Sequence, residues 1–120
     1  MSSDSKLIVR DVDGTTVVSF GEEAILDTMT IQRIGDELDQ LVDAQRRRNI
    51  ILDFSAVRFL SSAALGVLLS MRKKSQAIDT EVTISSLRPE LFKIFQVTRI
   101  DKFFQFFDST EEAVRALSSS

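Results

Sequence analysis

The run Asn49-Ile50-Ile51-Leu52-Asp53-Phe54 limits the fold more than any other part of this chain. It is a continuous apolar stretch of strand length. A strand that is apolar on both faces needs cover on both sides, which is the situation of a central strand in a sheet flanked by helices. Shortly after it come two adjacent hydroxyls, Ser61 and Ser62, and then an amphipathic helix that buries Leu65, Leu68 and Leu69 and exposes Ser70, Arg72, Lys73 and Lys74. Ser61 or Ser62 caps this helix, because a serine oxygen accepts a hydrogen bond from one of the unpaired N–H groups of the first turn. The same place would offer a phosphoryl group several N–H donors and the positive end of the helix dipole. The serine pair therefore reads either as a plain cap or as a switch.

The remaining segments fit a layered α/β protein. Residues 7–11 (LIVRD) and 15–20 (TTVVSF) are short, β-branched strands separated by Val12-Asp13-Gly14, a tight-hairpin signal. From Thr28 the apolar positions Ile31, Ile34, Leu38, Leu41 and Val42 take helical spacing, and this helix ends near Arg46-Arg47-Arg48. The stretch TEVTIS alternates as a half-buried strand, and Pro89 to Val97 forms a short helix with Pro at its permitted first position and Leu91, Phe92, Ile94 and Phe95 on its apolar face. KFFQFF reads as a strand with Phe103 and Phe107 on one side and Phe104 and Phe106 on the other, all packed as core between layers. Ser109 and Glu112 form a capping-box signature ahead of Ala113, Val114 and Leu117. The order β-β-α-β-α-β-α-β-α predicts an α/β fold with a mixed, mostly parallel sheet, an N-terminal antiparallel hairpin and about four helices. One domain over residues 1–120 is expected, with residues 1–5 and 118–120 frayed.

Composition excludes several kinds of function. The chain has no Cys and no His, so thiolate catalysis, the common zinc sites and His-based acid/base chemistry are ruled out; no metal site, cofactor or catalytic residue is expected. Asp53 reads as a strand-end residue that fixes the following loop, since no second acid lies close in sequence. A net charge of −3 and a pI near 4.9 do not suggest a nucleic-acid partner, and the arginine triplet reads as a solvated helix end. No segment approaches the length of a membrane span and no signal peptide is evident, so neither membrane insertion nor export is expected and the location is read as cytoplasmic. No phosphate-cradling G-x-x-x-x-G-K-S/T loop is present, which weakens a nucleotide-hydrolysing reading.

The stretch LDFSAVRFLSSAALGVLL resembles the strand-loop-helix signature of the STAS domain family, found in anti-sigma factor antagonists and related bacterial regulators. On that match Asp53 is the strand-end aspartate, Phe59-Leu60 the apolar pair, Ser62 the phosphorylatable serine and Leu65-Gly66 the closing Leu-Gly. LDTMT, Leu26 to Thr30, is similar to the family's entry into its first helix, and LFKIFQVTRIDKFFQFFDSTEEAV to its C-terminal helix, turn, strand and capped helix. Three positions depart from the pattern: Ser61 stands where Asp is usual, Ala64 where Gly is usual, and Arg99 in place of the Gly of the turn after the third helix. The first removes a carboxylate that could orient the neighbouring hydroxyl or contact a kinase. The second adds a methyl where a partner's backbone would approach, and the third is read as a local change in helix termination.

The resemblance implies a non-enzymatic regulator. Its unphosphorylated form would bind an anti-sigma factor that is also a serine kinase, and phosphorylation at Ser62, with Ser61 as second candidate, would end the binding; a serine phosphatase would restore it. The implied partner surface comprises Asp27, Thr28, Ser61, Ser62, Ala63 and Gly66. The rival reading is a non-switching STAS subunit of a larger assembly, such as a stress-signalling scaffold or a lipid-transport complex.

Overall fold

The Asp-Gly signal closes as expected. Strands β1 (Leu7–Val12) and β2 (Thr15–Phe20) pair antiparallel with Val12 opposite Thr15, and the loop residues Asp13 and Gly14 have φ of 51° and 82°. Positive φ at both positions is the type I′ turn, whose twist matches that of the flanking strands. The computed structural model describes residues 7–20, 24–26, 36–37, 40 and 49–118.

The apolar run becomes β4 (Asn49–Asp53), which pairs in parallel with β2 on one side and with β6 (Glu81–Ser85) on the other. With β7 (Gln105–Phe107) parallel to β6, the sheet order is β1-β2-β4-β6-β7, so the run predicted to be central occupies the middle position. Its side chains alternate between two cores. Ile50 and Leu52 pack with Leu65, Leu68 and Met71 of α1 (Ser62–Ala77) and Leu91 and Phe95 of α2 (Pro89–Val97), whereas Ile51 packs with Val17 and with Ala113 and Val114 of α3 (Thr110–Ser118). A one-residue slip of β4 would exchange the two sets, which is why a strand buried on both faces still fixes its register. Three of the expected helices are thus in place. Of the helix expected from Thr28, residues 36–37 and 40 are helical, while Ile31, Ile34, Leu38, Leu41, Val42 and the arginine triplet lie outside the described residues, as do residues 1–5 and 119–120.

Two further strands have no counterpart in the sequence reading. Strand β3 (Ala24–Leu26) and β5 (Val57–Leu60) pair in parallel as a separate small sheet, with Leu26 opposite Leu60. Segments of this length show no alternation to read, and their ladder bonds come from a partner some thirty residues away, so local pattern carries no signal of them. The aromatic stretch also differs from expectation. The strand begins only at Gln105; Phe103 belongs to a preceding 3-10 turn (Asp101–Phe103) and is 41% exposed, while Phe104 and Phe106 join the larger core and Phe107 packs against the smaller one.

Helix α2 ends in a left-handed residue, Arg99, with φ 63°. The Arg99 amide donates to the Gln96 carbonyl at 3.1 Å and the Ile100 amide to the Phe95 carbonyl at 3.0 Å, the double bond pattern of a Schellman cap, with Ile100 and Phe95 in the same core. The termination is therefore kept, not changed, and an arginine holds a conformation that favours glycine. Replacing Arg99 by Gly removes this strain, and we expect a gain of about 0.5–1 kcal/mol in denaturant melts. An unchanged midpoint would show that the left-handed residue is not strained.

Candidate functional site

Three hydrogen bonds and the buried Leu60 fix the segment that leads to the serine pair. Asp53 at the end of β4 accepts the Ser55 amide through Oδ1 at 2.9 Å, which turns the chain, and the Val57 amide donates back to the Phe54 carbonyl at 2.9 Å. Asp53 is thus the loop-fixing residue its position suggested. Arg88 Nε, at the start of α2, donates to the Val57 carbonyl at 3.2 Å and ties β5 to the helix layer. Leu60 closes β5 inside the core, so the chain leaves the sheet at Ser61 with its direction set.

The two hydroxyls then take different jobs. Ser61 is extended (φ −87°, ψ 165°) and is the N-cap of α1: its Oγ accepts the Ala64 amide at 3.1 Å, and its carbonyl accepts the Leu65 amide at 3.3 Å. Ser62 is the first helical residue, it is exposed, and its hydroxyl makes no hydrogen bond among the described residues. The cap role that either serine could have taken belongs to Ser61. This leaves Ser62 Oγ free beside first-turn amides that have no intrahelical acceptor, at a helix end with no acidic residue in its first turn.

Gly66 lies one turn further along and is also exposed. A Cβ built there would meet nothing within 4 Å, so nothing in this chain's packing requires glycine, although a helix-interior glycine costs about 1 kcal/mol relative to alanine. Ala63 is half-buried against the core, and Ala64 is fully buried, so its methyl points inward and not toward a partner. The apolar pair splits: Leu60 is buried, while Phe59 is 50% exposed just before the serines. An exposed aromatic at this edge was not legible in the sequence, because the strand that turns it outward was not. Asp27 and Thr28 lie outside the described residues; they follow Leu26, whose strand partner is Leu60. Among the described residues no cluster of three or more acids is placed to hold a metal, and no helix is long and apolar enough to cross a membrane.

The division of labour between the serines is testable. Ser61→Ala should cost about 1 kcal/mol, the scale of a lost N-cap, and Ser62→Ala close to nothing. Denaturant midpoints of the two variants would check this, and equal losses would mean that both hydroxyls serve the cap.

The STAS domain model matches residues 6–113. Over 115 residues the chain is 24% identical to BtrV of Bordetella bronchiseptica, a candidate anti-sigma factor antagonist, with 96% of this chain and 97% of that protein covered. In fold it is similar to an anti-sigma-factor antagonist (STAS) domain protein from Planctomyces limnophilus, with a TM-score of 0.85, 21% identity, and coverage of 95% of this chain and 98% of that one. The Bacillus cell fate determinant SpoIIAA, solved in its phosphorylated form, aligns with a TM-score of 0.71 and 18% identity over 92% of this chain and 98% of its own.

Proposed function

The chain belongs to the STAS domain family, and on that premise we propose that it is an anti-sigma factor antagonist: a cytoplasmic binding protein, not an enzyme, whose docking surface is centred on Ser62 and switched by phosphorylation of that residue. The observation that carries this reading is the free, exposed Ser62 hydroxyl at the first position of α1, beside a neighbour that already supplies the cap. A phosphoryl group there brings roughly −1.5 to −2 charges, which first-turn N–H donors and the helix dipole accommodate without unfolding the domain. What changes is the surface a partner meets. The exposed Gly66, open to close approach, and Phe59 flank the same serine and suit a protein partner. The solved phosphorylated form of SpoIIAA supports the view that this architecture tolerates the modification.

In this reading the partner is an anti-sigma factor with serine kinase activity, and a serine phosphatase resets the switch. Asp27 and Thr28 are counted with the docking residues on the family resemblance of Leu26 to Thr30. Ser61 in place of the usual Asp favours one rival, a non-switching subunit of a larger assembly, because the carboxylate beside the acceptor is gone. Incubation with the cognate kinase and ATP decides between them. We expect one added phosphoryl group by intact-mass measurement, located by peptide sequencing at Ser62 and absent from Ser62→Ala. Undiminished labelling of that variant would move the site, with Ser61 the next candidate, and no labelling of the wild type by the kinase it binds would favour the rival.

A further inference from the structure

Beyond Gly66 the exposed side of α1 continues into a groove of about 490 Å³ lined by Gly66, Leu69, Ser70, Arg72, Lys73 and Phe103. None of these is acidic; the adjoining cleft that shares Arg72 and Phe103 holds Lys102 and one acid, Glu81, so cations outnumber acids across the two. Phe103 exposes 41% of its surface, and the Arg72 guanidinium carbon sits 5.0 Å from its ring centroid. Stacking of this kind fixes a guanidinium while leaving its N–H edge available to a carboxylate. An exposed aromatic rimmed by cations, on a chain whose net charge is −3, is a local reversal of sign with an apolar centre.

We propose that this groove is a second docking surface, which takes an acidic segment bearing an apolar side chain: the apolar group on Phe103 and Leu69, the carboxylates on Arg72 and Lys73. The proposal rests on the Ser62 reading only in assigning that segment to the same protein partner. Charge complementarity selects the occupant, since a basic or neutral segment would leave these cations desolvated without counter-charge. Position along the helix gives the groove a distinct role. Lys73 lies eleven residues after Ser62, roughly 16 Å at helical rise, about twice the screening length at physiological salt. The groove begins at Gly66, one turn from Ser62, but its cations stand at the far end, so phosphorylation at Ser62 leaves their attraction for carboxylates nearly unchanged and the partner stays loosely held, through a salt-sensitive contact, while the switch is off.

Titration of 15N-labelled protein with a short synthetic peptide of glutamates carrying leucine at helical spacing tests this, with the lysine-for-glutamate peptide as control. Expected are amide shifts confined to Gly66, Leu69 to Lys73 and Phe103, an affinity that falls with added salt, and a loss of roughly tenfold in Lys73→Glu and in Phe103→Ser. Lys73 is exposed, so that variant keeps its fold even if Phe103→Ser does not. Ser62→Glu should bind the peptide as wild type does, whereas the Ser62 reading stands or falls on kinase labelling, so either can fail alone. Shifts spread elsewhere, equal binding of the lysine peptide, or no binding would overturn the proposal. Self-association in sedimentation that Phe103→Ser abolishes would also overturn it, by making a second copy the occupant.

Discussion

Ser62→Glu is expected to weaken partner binding by about 2–5 kcal/mol, between one and four decades in Kd, while fold stability moves by less than about 1 kcal/mol. The two effects separate because of where the side chain stands. At the first helical position, exposed and outside the cap, a carboxylate faces water in the free protein and sits at the favourable end of the dipole, so the fold has nothing to lose. In the proposed complex, with docking centred on Ser62, the same charge would have to be desolvated, and an uncompensated buried charge is strongly unfavourable. Ser62→Ala should bind nearly as wild type and, with the cap on Ser61, melt nearly as wild type too. Calorimetric titration and thermal melts of both variants against the cognate partner check this. A Glu variant that binds as tightly as wild type would remove charge from the switching mechanism, although glutamate carries less charge than a phosphate.

Much of this was legible in the sequence, for identifiable reasons. The central strand announced itself because a strand covered on both faces is apolar throughout, and the Asp13-Gly14 turn and the Pro89 start of α2 are local chemistry with few alternatives. The serine pair was located, yet which serine caps depends on one residue's ψ angle, and no residue pattern states that. Strands β3 and β5, which aim the serines and turn Phe59 outward, were invisible because each is stabilised by a distant partner and not by its own periodicity. Alternation does not place Phe103, because a 3-10 turn interrupts the strand pattern there. The sequence pattern does not say whether the methyl of Ala64 meets a partner or the core, because helix phase near an N-terminus shifts with the capping residue. Once the cap is Ser61, position 64 faces the core and position 62 faces solvent.

Phe95→Ala should destabilise the fold by about 3–5 kcal/mol, a large part of the stability of a domain this size. The ring is fully buried where α2 meets the sheet, with edge-to-face contacts to Phe104 at 6.3 Å and Phe106 at 5.5 Å between centroids. Its truncation therefore loses the transferred surface, leaves a cavity between two elements, and removes two aromatic contacts each worth about 0.5–1.5 kcal/mol beyond area. The adjoining Schellman cap gives the site little freedom to collapse, because Ile100, the cap's apolar member, packs in the same core. Phe95→Leu fills most of that volume and should cost less than about 1.5 kcal/mol. Urea unfolding of both variants measures the difference, and a loss below about 1 kcal/mol for Ala would contradict the packing around this ring. On the proposed switch reading, phosphorylation should be unaffected while the protein stays folded: Ser62 is positioned by β5, Asp53 and the Ser61 cap, so below its lowered melting transition Phe95→Ala should accept a phosphoryl group at Ser62 as the wild type does.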